Sequence, residues 1–257
     1  MLTVERGTAR AYTRNGHDWS DRYAGIIASA RKPPCRSAIL DGEVIVQDAR
    51  GVSDFEALQA ALRSQPAQLI FYAFDLLHLD GKDLREKPLI ERRTKLKRLI
   101  EQDPDNRIQF SEEFIGDAAA FFQACAAHEL EGIVSKLATS RYRSGRSNTW
   151  LKTKCFTESE FLLLGSHHDR KTNAPPCASR QGRTGAVCLC RTGLHRTRSG
   201  AREEFRTRLA ELKQERPVLS WLRNRDAHWV RPELTLKVKH LAGARLLRHA
   251  TVKELVQ

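Results

Sequence analysis

Two short segments decide the fold, Glu131-Gly-Ile-Val-Ser-Lys136 and Trp150-Leu-Lys-Thr-Lys154. The first places a carboxylate and an ammonium around a Gly-containing strand. The second carries two lysines at a spacing of two, which on a strand puts both on one face. Lysines neutralise phosphate oxygens as point charges, and a carboxylate can hold Mg²⁺ directly or through water. Together the segments predict one surface that suits a polyphosphate and its metal, although either segment alone is also typical of a solvated strand face.

Three earlier segments stand in a fixed order before these two: Tyr12-Thr-Arg14-Asn-Gly16, Leu40-Asp-Gly-Glu43 and Phe71-Tyr-Ala-Phe74-Asp-Leu-Leu-His78-Leu-Asp-Gly81. In this order they resemble the Arg-x-Gly, Asp-Gly-Glu and Phe-Asp motifs of the nucleotidyltransferase superfamily. The two later segments resemble its fourth and fifth motifs. That superfamily contains the ATP-dependent DNA ligases and the mRNA capping enzymes. In their residues, the five segments resemble those of the bacterial ATP-dependent DNA ligases of the end-joining type.

The resemblance implies an α+β fold with two domains. Residues 1–156 are expected to form an ATP-grasp-like nucleotidyltransferase (adenylation) domain that lacks its N-terminal part. Residues 157–257 are expected to form an OB-fold, a small β-barrel that grips nucleic acid, with an irregular basic segment at 170–200.

The family's nucleophile is the lysine of a Lys-x-Asp-Gly motif that precedes the Arg-x-Gly segment. Only residues 1–11 precede that segment here, and the 257 residues contain no Lys-x-Asp-Gly. We therefore expect the chain to begin inside the adenylation domain, past the catalytic lysine, and to be defective in self-adenylylation.

Seven residues receive roles from the resemblance. Arg14 would contact the nucleotide or the 5′-phosphate of a nick, Glu43 the ribose or a metal, and Phe74 would stack on adenine. Glu131 would bind Mg²⁺ or Mn²⁺. The phosphates of ATP would be contacted by Lys136, Lys152 and Lys154, the last two with catalytic roles. Without the motif order, the ordinary interpretations are a surface arginine, a strand-end turn, a core phenylalanine and solvated lysines.

Composition is consistent with a polyanionic partner. The net charge is +13, which favours a salt-dependent affinity for nucleic acid, although a basic protein with no such role is the alternative. The resemblance to the ligases implies nicked double-stranded DNA as partner, end-joining repair proteins beside it, and action as a monomer. The sequence contains no run of about 18 apolar residues, so no membrane-spanning helix is predicted. The expected location is the cytoplasm, at the nucleoid. Six cysteines show no zinc-type spacing, and Cys188-x-Cys190 is a weak metal signal.

Local patterns predict the elements that carry these motifs. Residues 38–47 read as a strand apolar enough to be buried on both faces. Residues 89–100 read as a helix whose Leu89, Arg93, Leu96 and Ile100 face one way, with the other basic residues outside. Residues 234–240 alternate, so that Leu234, Leu236 and Val238 face inward.

The segment 170–200 carries seven basic residues and no acidic residue, and its sequence shows no strand or helix periodicity. Three interpretations remain open: a disordered basic loop, an insertion that grips DNA, or a stretch translated out of frame.

Four functions are compatible with the sequence. The first is an ATP-dependent DNA ligase of repair and recombination, and the alternative is a non-catalytic remnant that binds nicked DNA. An RNA-directed relative would also carry these motifs, and a non-functional fragment would expose an unpaired sheet edge.

Overall fold

The computed structural model describes residues 1–32, 34–101, 106–167, 177–181, 186–190, 205, 207–218, 227–242 and 249–256. The chain divides into two compact units, which we call the first and the second unit. The first unit comprises Met1–Gly116 and Val134–Leu151, and the second comprises Asp117–Ile133 and Lys152–Gln257. The domain boundary expected between residues 156 and 157 stays a prediction.

The first unit is built on a six-stranded sheet. Its strands are β1 (Leu2–Glu5), β2 (Thr8–Ala11), β3 (Ser37–Ile45), β4 (Ile70–Leu79), β5 (Lys82–Asp83) and β6 (Ile108–Phe110). The order is β2-β1-β3-β4-β5, and β6 pairs with β4 in parallel while the other pairs are antiparallel. The helices of this unit are α1 (Ala24–Ala30), α2 (Phe55–Ser64) and α3 (Leu89–Ile100).

The burial of β3 differs from the prediction. Only Ala38 and Leu40 of this strand are buried, at 1% and 3% exposure, and Glu43 is exposed. The expectation that both faces are buried is wrong, because the polar run from Asp41 to Glu43 interrupts the apolar pattern. The partner strand β4 is more deeply placed, with Phe71, Ala73 and the stretch 75–77 all buried.

Helix α3 begins and ends at the predicted residues, Leu89 and Ile100, but its buried face is more charged than expected. Arg92 is fully buried. The other buried residues of the helix are each 8% exposed or less: Leu89, Arg93, Leu96 and Ile100. The expectation that the basic residues other than Arg93 lie outside is therefore wrong for Arg92. It lies three residues after Leu89 and four before Leu96, which puts it on the same helical face.

A separate two-stranded sheet carries the fold-deciding segments. Its strands are β7 (Gly132–Lys136) and β8 (Trp150–Lys154), both as predicted. The division between the two units passes through these strands. In the first unit the Leu137 N–H donates to the Thr149 carbonyl at 2.9 Å, and in the second the Cys155 N–H donates to the Glu131 carbonyl at 3.0 Å.

The second unit contains one long strand that organises a sheet. Its elements are α4 (Ala118–Ala127), β9 (Phe156–His167), β10 (Cys177–Gln181), β11 (Ala186–Cys190), β12 (Lys213–Gln214), β13 (Ala227–Val230), β14 (Thr235–Leu241) and β15 (Thr251–Leu255). Strand β9 pairs antiparallel with β10, β13 and β14. The core between them includes Phe161, Leu163 and the predicted inward set Leu234, Leu236 and Val238.

Part of the segment 170–200 is ordered into strands. Residues 177–181 and 186–190 pair with each other, and the first of these pairs with β9. The sequence pattern did not predict these strands, since backbone pairing to a long neighbouring strand does not require a visible side-chain alternation. The other residues of this segment lie outside the described part of the chain. Among the described helices, none is long and apolar enough to span a membrane.

Candidate functional site

Phe74 lies at an irregularity in the pairing of β3 with β4. Asp41 pairs with Asp75 and Gly42 pairs with Ala73, so Phe74 is an extra residue on β4. Such a β-bulge redirects a side chain and is common beside functional sites. The half-buried ring of Phe74 is therefore aimed by the backbone rather than by simple strand alternation.

Three side chains of the first unit meet at this bulge, and we call them the Lys136 cage: Phe74, Lys136 and Trp150. The Lys136 ammonium nitrogen lies 4.0 Å from the centroid of each aromatic ring. The two rings meet edge to face, with centroids 5.6 Å apart and an interplanar angle of 73°. Cation–π attraction favours this arrangement. The sequence predicted Phe74 and Lys136 but gave Trp150 no role, and its only signal was its place at the start of the Trp-Leu-Lys-Thr-Lys motif.

The Lys136 ammonium is less basic than an ordinary lysine. Burial, and after it the nearby charge of Arg93, lowers the pKa of Lys136 to about 8, although the carboxylates of Asp75 and Asp41 oppose the shift. Desolvation penalises the charged form of the amine. The lysine therefore changes its charge at mildly alkaline pH.

A buried ion pair adjoins the cage, because its carboxylate belongs to Asp75, the residue after Phe74. Arg92 and Asp75 are both fully buried, and the guanidinium grips the carboxylate with two hydrogen bonds, Nε to Oδ1 at 2.7 Å and Nη2 to Oδ2 at 2.8 Å. The neighbouring Arg93 donates to the Phe74 carbonyl at 3.0 Å. Sequence reasoning missed this pair, because the helical pattern was taken to place Arg92 in solvent.

A second carboxylate faces Asp75 across the strand pair. Asp41 accepts a hydrogen bond from the Tyr142 hydroxyl at 3.3 Å. Burial raises the pKa of Asp41, and burial together with the Asp41 charge raises the pKa of Tyr142 to about 12. The first residue of the Asp-Gly-Glu motif is thus a half-buried group, whereas the sequence analysis assigned a role only to its last residue.

Arg14 and Glu43 line one cleft of the first unit. The cleft has a volume of about 250 Å³, and its walls include Tyr12, Thr13 and Tyr23. Both charged side chains are exposed. A cation and a carboxylate facing one solvent-filled space can contact a phosphate and its metal or sugar. Phe74 is not among the residues that line this cleft.

The second unit holds the other three predicted residues. Gly132, which follows Glu131, packs so closely that a Cβ there would lie 2.2 Å from the Thr153 carbonyl oxygen. Lys154 lies on β8 with its ammonium 2.8 Å from Nε2 of His249, and Lys152 is exposed on the same strand. Since Lys136 belongs to the first unit, the expected convergence of one carboxylate and three lysines stays a prediction.

The described carboxylates suit a metal ion only if substrate phosphates and waters supply its other ligands. Among the described residues, no group of three His, Cys, Asp or Glu side chains could hold a metal ion. Mg²⁺ is commonly bound through one or two carboxylates with substrate phosphates and waters completing its shell. Glu43, exposed in the cleft beside Arg14, fits that mode.

Comparison with known proteins gives one family and several relatives. Residues 1–154 match the model of the family described as ATP dependent DNA ligase domain. The multifunctional non-homologous end joining protein LigD of Pseudomonas aeruginosa is 37% identical over 166 residues, 64% of this chain and 20% of that protein. The SPbeta prophage-derived DNA ligase-like protein LigB of Bacillus subtilis is 38% identical over 159 residues, 61% of this chain and 57% of that protein. The chain thus spans between a fifth and about three fifths of these relatives.

A solved structure resembles the whole chain. The structure of mycobacterial DNA ligase D complexed with ATP and MES superposes with a TM-score of 0.57 and 25% identity. The match covers 99% of this chain and 84% of that one.

Proposed function

Because the chain belongs to the family of ATP-dependent DNA ligase domains, we propose that it acts in sealing nicks in double-stranded DNA during repair by end joining. The observation that carries the proposal is the Lys136 cage. An aromatic ring aimed by a bulge and a lysine of lowered pKa come from two motifs far apart in the sequence. The relative LigD is named for end joining, and the structural relative holds ATP.

The proposed reaction is a series of phosphoryl-type transfers. A lysine nitrogen attacks the α-phosphorus of ATP, a P–N bond forms, and pyrophosphate leaves. An oxygen of the 5′-phosphate at the nick then takes the AMP and frees the lysine. The 3′-hydroxyl finally loses its proton, attacks the 5′-phosphorus, and releases AMP. Such transfers depend mainly on positioning and on fixed positive charge.

The residues of this chain have distinct parts in the proposal. Phe74 stacks on adenine, for which its flat π-face is suited. Lys136, Lys152 and Lys154 neutralise phosphate oxygens. Arg14 contacts the nucleotide or the 5′-phosphate, since it shares a cleft with Glu43.

The divalent metal is bound through few protein groups in this proposal. Glu43 and, separately, Glu131 would each offer a carboxylate to Mg²⁺ or Mn²⁺, with phosphate oxygens and water supplying the other ligands. Bound there, the cation would neutralise charge on the transferring phosphate and orient it.

We propose further that these 257 residues do not perform the first transfer by themselves, since they contain no Lys-x-Asp-Gly motif. The last transfer does not use that lysine as a nucleophile. The chain is therefore expected to seal a nick whose 5′-phosphate already carries AMP.

Residues 157–257, which make up most of the second unit, are proposed to form an OB-fold that grips the duplex. The long β9, which pairs with three other strands, is compatible with a small barrel. We also propose that the protein acts as a monomer, alongside end-joining repair proteins, at the nucleoid in the cytoplasm.

Self-adenylylation tests the missing first step. Purified protein is incubated with Mg²⁺ and ATP labelled at the α-phosphate, and then resolved on a denaturing gel. A ligase that contains Lys-x-Asp-Gly serves as the positive control. The proposal predicts no labelled band from this chain, provided that it melts cooperatively. A labelled band that releases AMP in acid would show that another lysine serves as the nucleophile.

A non-catalytic role in holding nicks is the second candidate, favoured by the exposed Arg141, Arg143 and Arg146 and the net charge of +13. It predicts salt-sensitive binding of nicked DNA with no joining of a pre-adenylylated nick.

A further inference from the structure

We propose that Arg92 is a positioning residue: by tying Asp75 to the Ser140 carbonyl, it holds Phe74 and Lys136 in register for the nucleotide. The inference rests on the proposed function of these two residues. It assigns a role to a helix that carries none of the five motifs.

The donors of Arg92 reach three segments of the first unit. Its Nε and Nη2 grip Asp75 on β4, and its Nη1 donates to the Lys87 carbonyl at 2.5 Å and to the Ser140 carbonyl at 3.1 Å. Asp75 directly follows Phe74, and Ser140 follows Lys136 by four residues. One guanidinium therefore joins the strand that carries the ring to the loop that follows the lysine.

The backbone of α3 reinforces the same connection. The Leu89 N–H donates to the Ser140 carbonyl at 2.9 Å, and the Ile90 N–H donates to the Ala138 carbonyl at 3.0 Å. These first-turn amides have no partner within their own helix, and the N-cap residue Pro88 offers no side-chain cap. The loop after β7 thus caps α3, and the helix in turn fixes the loop.

Stability alone does not explain why an ion pair occupies this place. Both side chains are fully buried, and replacing a buried ion pair with well-packed apolar residues is often neutral or stabilising. The Ser140 hydroxyl is also buried without a hydrogen-bond partner, which itself costs stability. A rigid bidentate fork does, however, define distances and angles that an apolar contact leaves loose.

The geometry that would be lost is narrow. The Lys136 ammonium lies 4.0 Å from two ring centroids, and displacement of a reacting or binding group by about 1 Å can cost about 100-fold in rate. A shift of either the β4 strand or the 137–140 loop would open the cage to water.

Two variants test the role of Arg92. Arg92→Lys keeps the charge but loses the fork, and Asp75→Leu/Arg92→Met replaces the pair with apolar groups. Arg98→Lys is the matched control, because Arg98 is exposed on the same helix. Each full-length protein is first checked for cooperative melting.

The first readout is the titration of Lys136 itself, followed by NMR of lysine labelled with ¹³C at Cε and assigned through Lys136→Arg. We expect the midpoint to rise by about one pH unit in both variants, because a loosened cage admits water. The double variant also removes the Arg92 charge, whose loss raises the midpoint, but the larger direct effect is the loss of the Asp75 charge, which lowers it. A rise in the double variant therefore reports repositioning.

The second readout is joining of a pre-adenylylated nick, for which we expect KM to rise about tenfold in both variants and not in Arg98→Lys. Unchanged titration and KM in a folded double variant would overturn the proposal, as would failure of both variants to fold. If the unaltered chain seals no nick, the proposed function fails, while the Lys136 titration still decides the role of Arg92.

Discussion

Phe74 gives the most direct test of where the nucleotide binds. Stacking of a base on an aromatic side chain contributes about 1–3 kcal/mol, so Phe74→Leu should weaken binding of AMP about 5- to 150-fold. The change keeps an apolar side chain at the bulge, and melting should remain cooperative. Phe114→Leu, at an exposed ring in the same unit, controls for loss of an aromatic group. Equal affinity in Phe74→Leu and the unaltered protein, measured by titration calorimetry, would remove Phe74 from the site.

Lys136 should make stability depend on alkaline pH. Its folded pKa of about 8 lies below the ordinary 10.5, so between these values the unfolded chain binds the proton that the folded chain has lost. Stability therefore rises with pH across this window. Lys136→Met removes this titrating group. The free energy of unfolding of the variant, minus that of the unaltered protein, should therefore fall by up to about 3 kcal/mol between pH 7 and pH 10.5.

Urea unfolding at several pH values measures this difference, and Lys95→Met on the exposed face of α3 controls for loss of one lysine. If the difference in free energy of unfolding between Lys136→Met and the unaltered protein is the same at every pH, the ammonium is not held away from water.

Individual residues show how far the sequence could predict the site. Motif order marks Phe74 and Lys136 in the sequence, and the structure brings their side chains together, while their roles stay predictions. The contribution of Trp150 and the burial of Asp75 and Arg92 were not predicted, because they depend on which strand and helix face each other. An arginine on a helix is normally exposed, and only its spacing from Leu89 and Leu96 hinted otherwise.

At the level of single elements, Gly132 should be irreplaceable in β7. Its φ of +145° is rarely adopted by other residues, and a Cβ would lie 2.2 Å from the Thr153 carbonyl oxygen. Gly132→Ala should therefore force β7 and β8 apart and lower the rate of nick joining at least about tenfold. Gly25→Ala on α1 has open space around its Cβ and should keep the rate. Joining by Gly132→Ala at the rate of the Gly25→Ala control would contradict the close packing of these strands.

The elements themselves were largely predictable where one periodicity dominates. Helix α3 and strand β8 begin and end at the predicted residues, because apolar spacing and flanking proline or turn residues agree. Strands β10 and β11 were not predicted, since pairing with a neighbouring strand and not local pattern decides them. The bulge at Phe74 was also invisible, because it depends on the register between β3 and β4.

The charge of the whole molecule predicts how it binds DNA. With a net charge of +13, its affinity for nicked duplex should fall steeply as salt rises, since each neutralised phosphate contributes about 0.9 to the log–log slope. Arg143→Ala and Arg146→Ala, in the exposed loop between β7 and β8, should each lower the slope by about 1 if they contact phosphate. Fluorescence anisotropy over a salt series measures both. Affinity independent of salt would exclude an electrostatic grip on the duplex.

We propose that these residues carry the phosphate- and base-binding half of a DNA ligase without the nucleophile of its first step. Joining of a nicked duplex whose 5′-phosphate already carries AMP, with Mg²⁺ and no ATP, tests it most directly. We expect joined product and released AMP in single-turnover reactions, and about tenfold or greater loss of rate in Lys136→Met. If the folded protein binds the nick but forms no joined product, the proposal is wrong and the chain is a DNA-binding relative of the ligases.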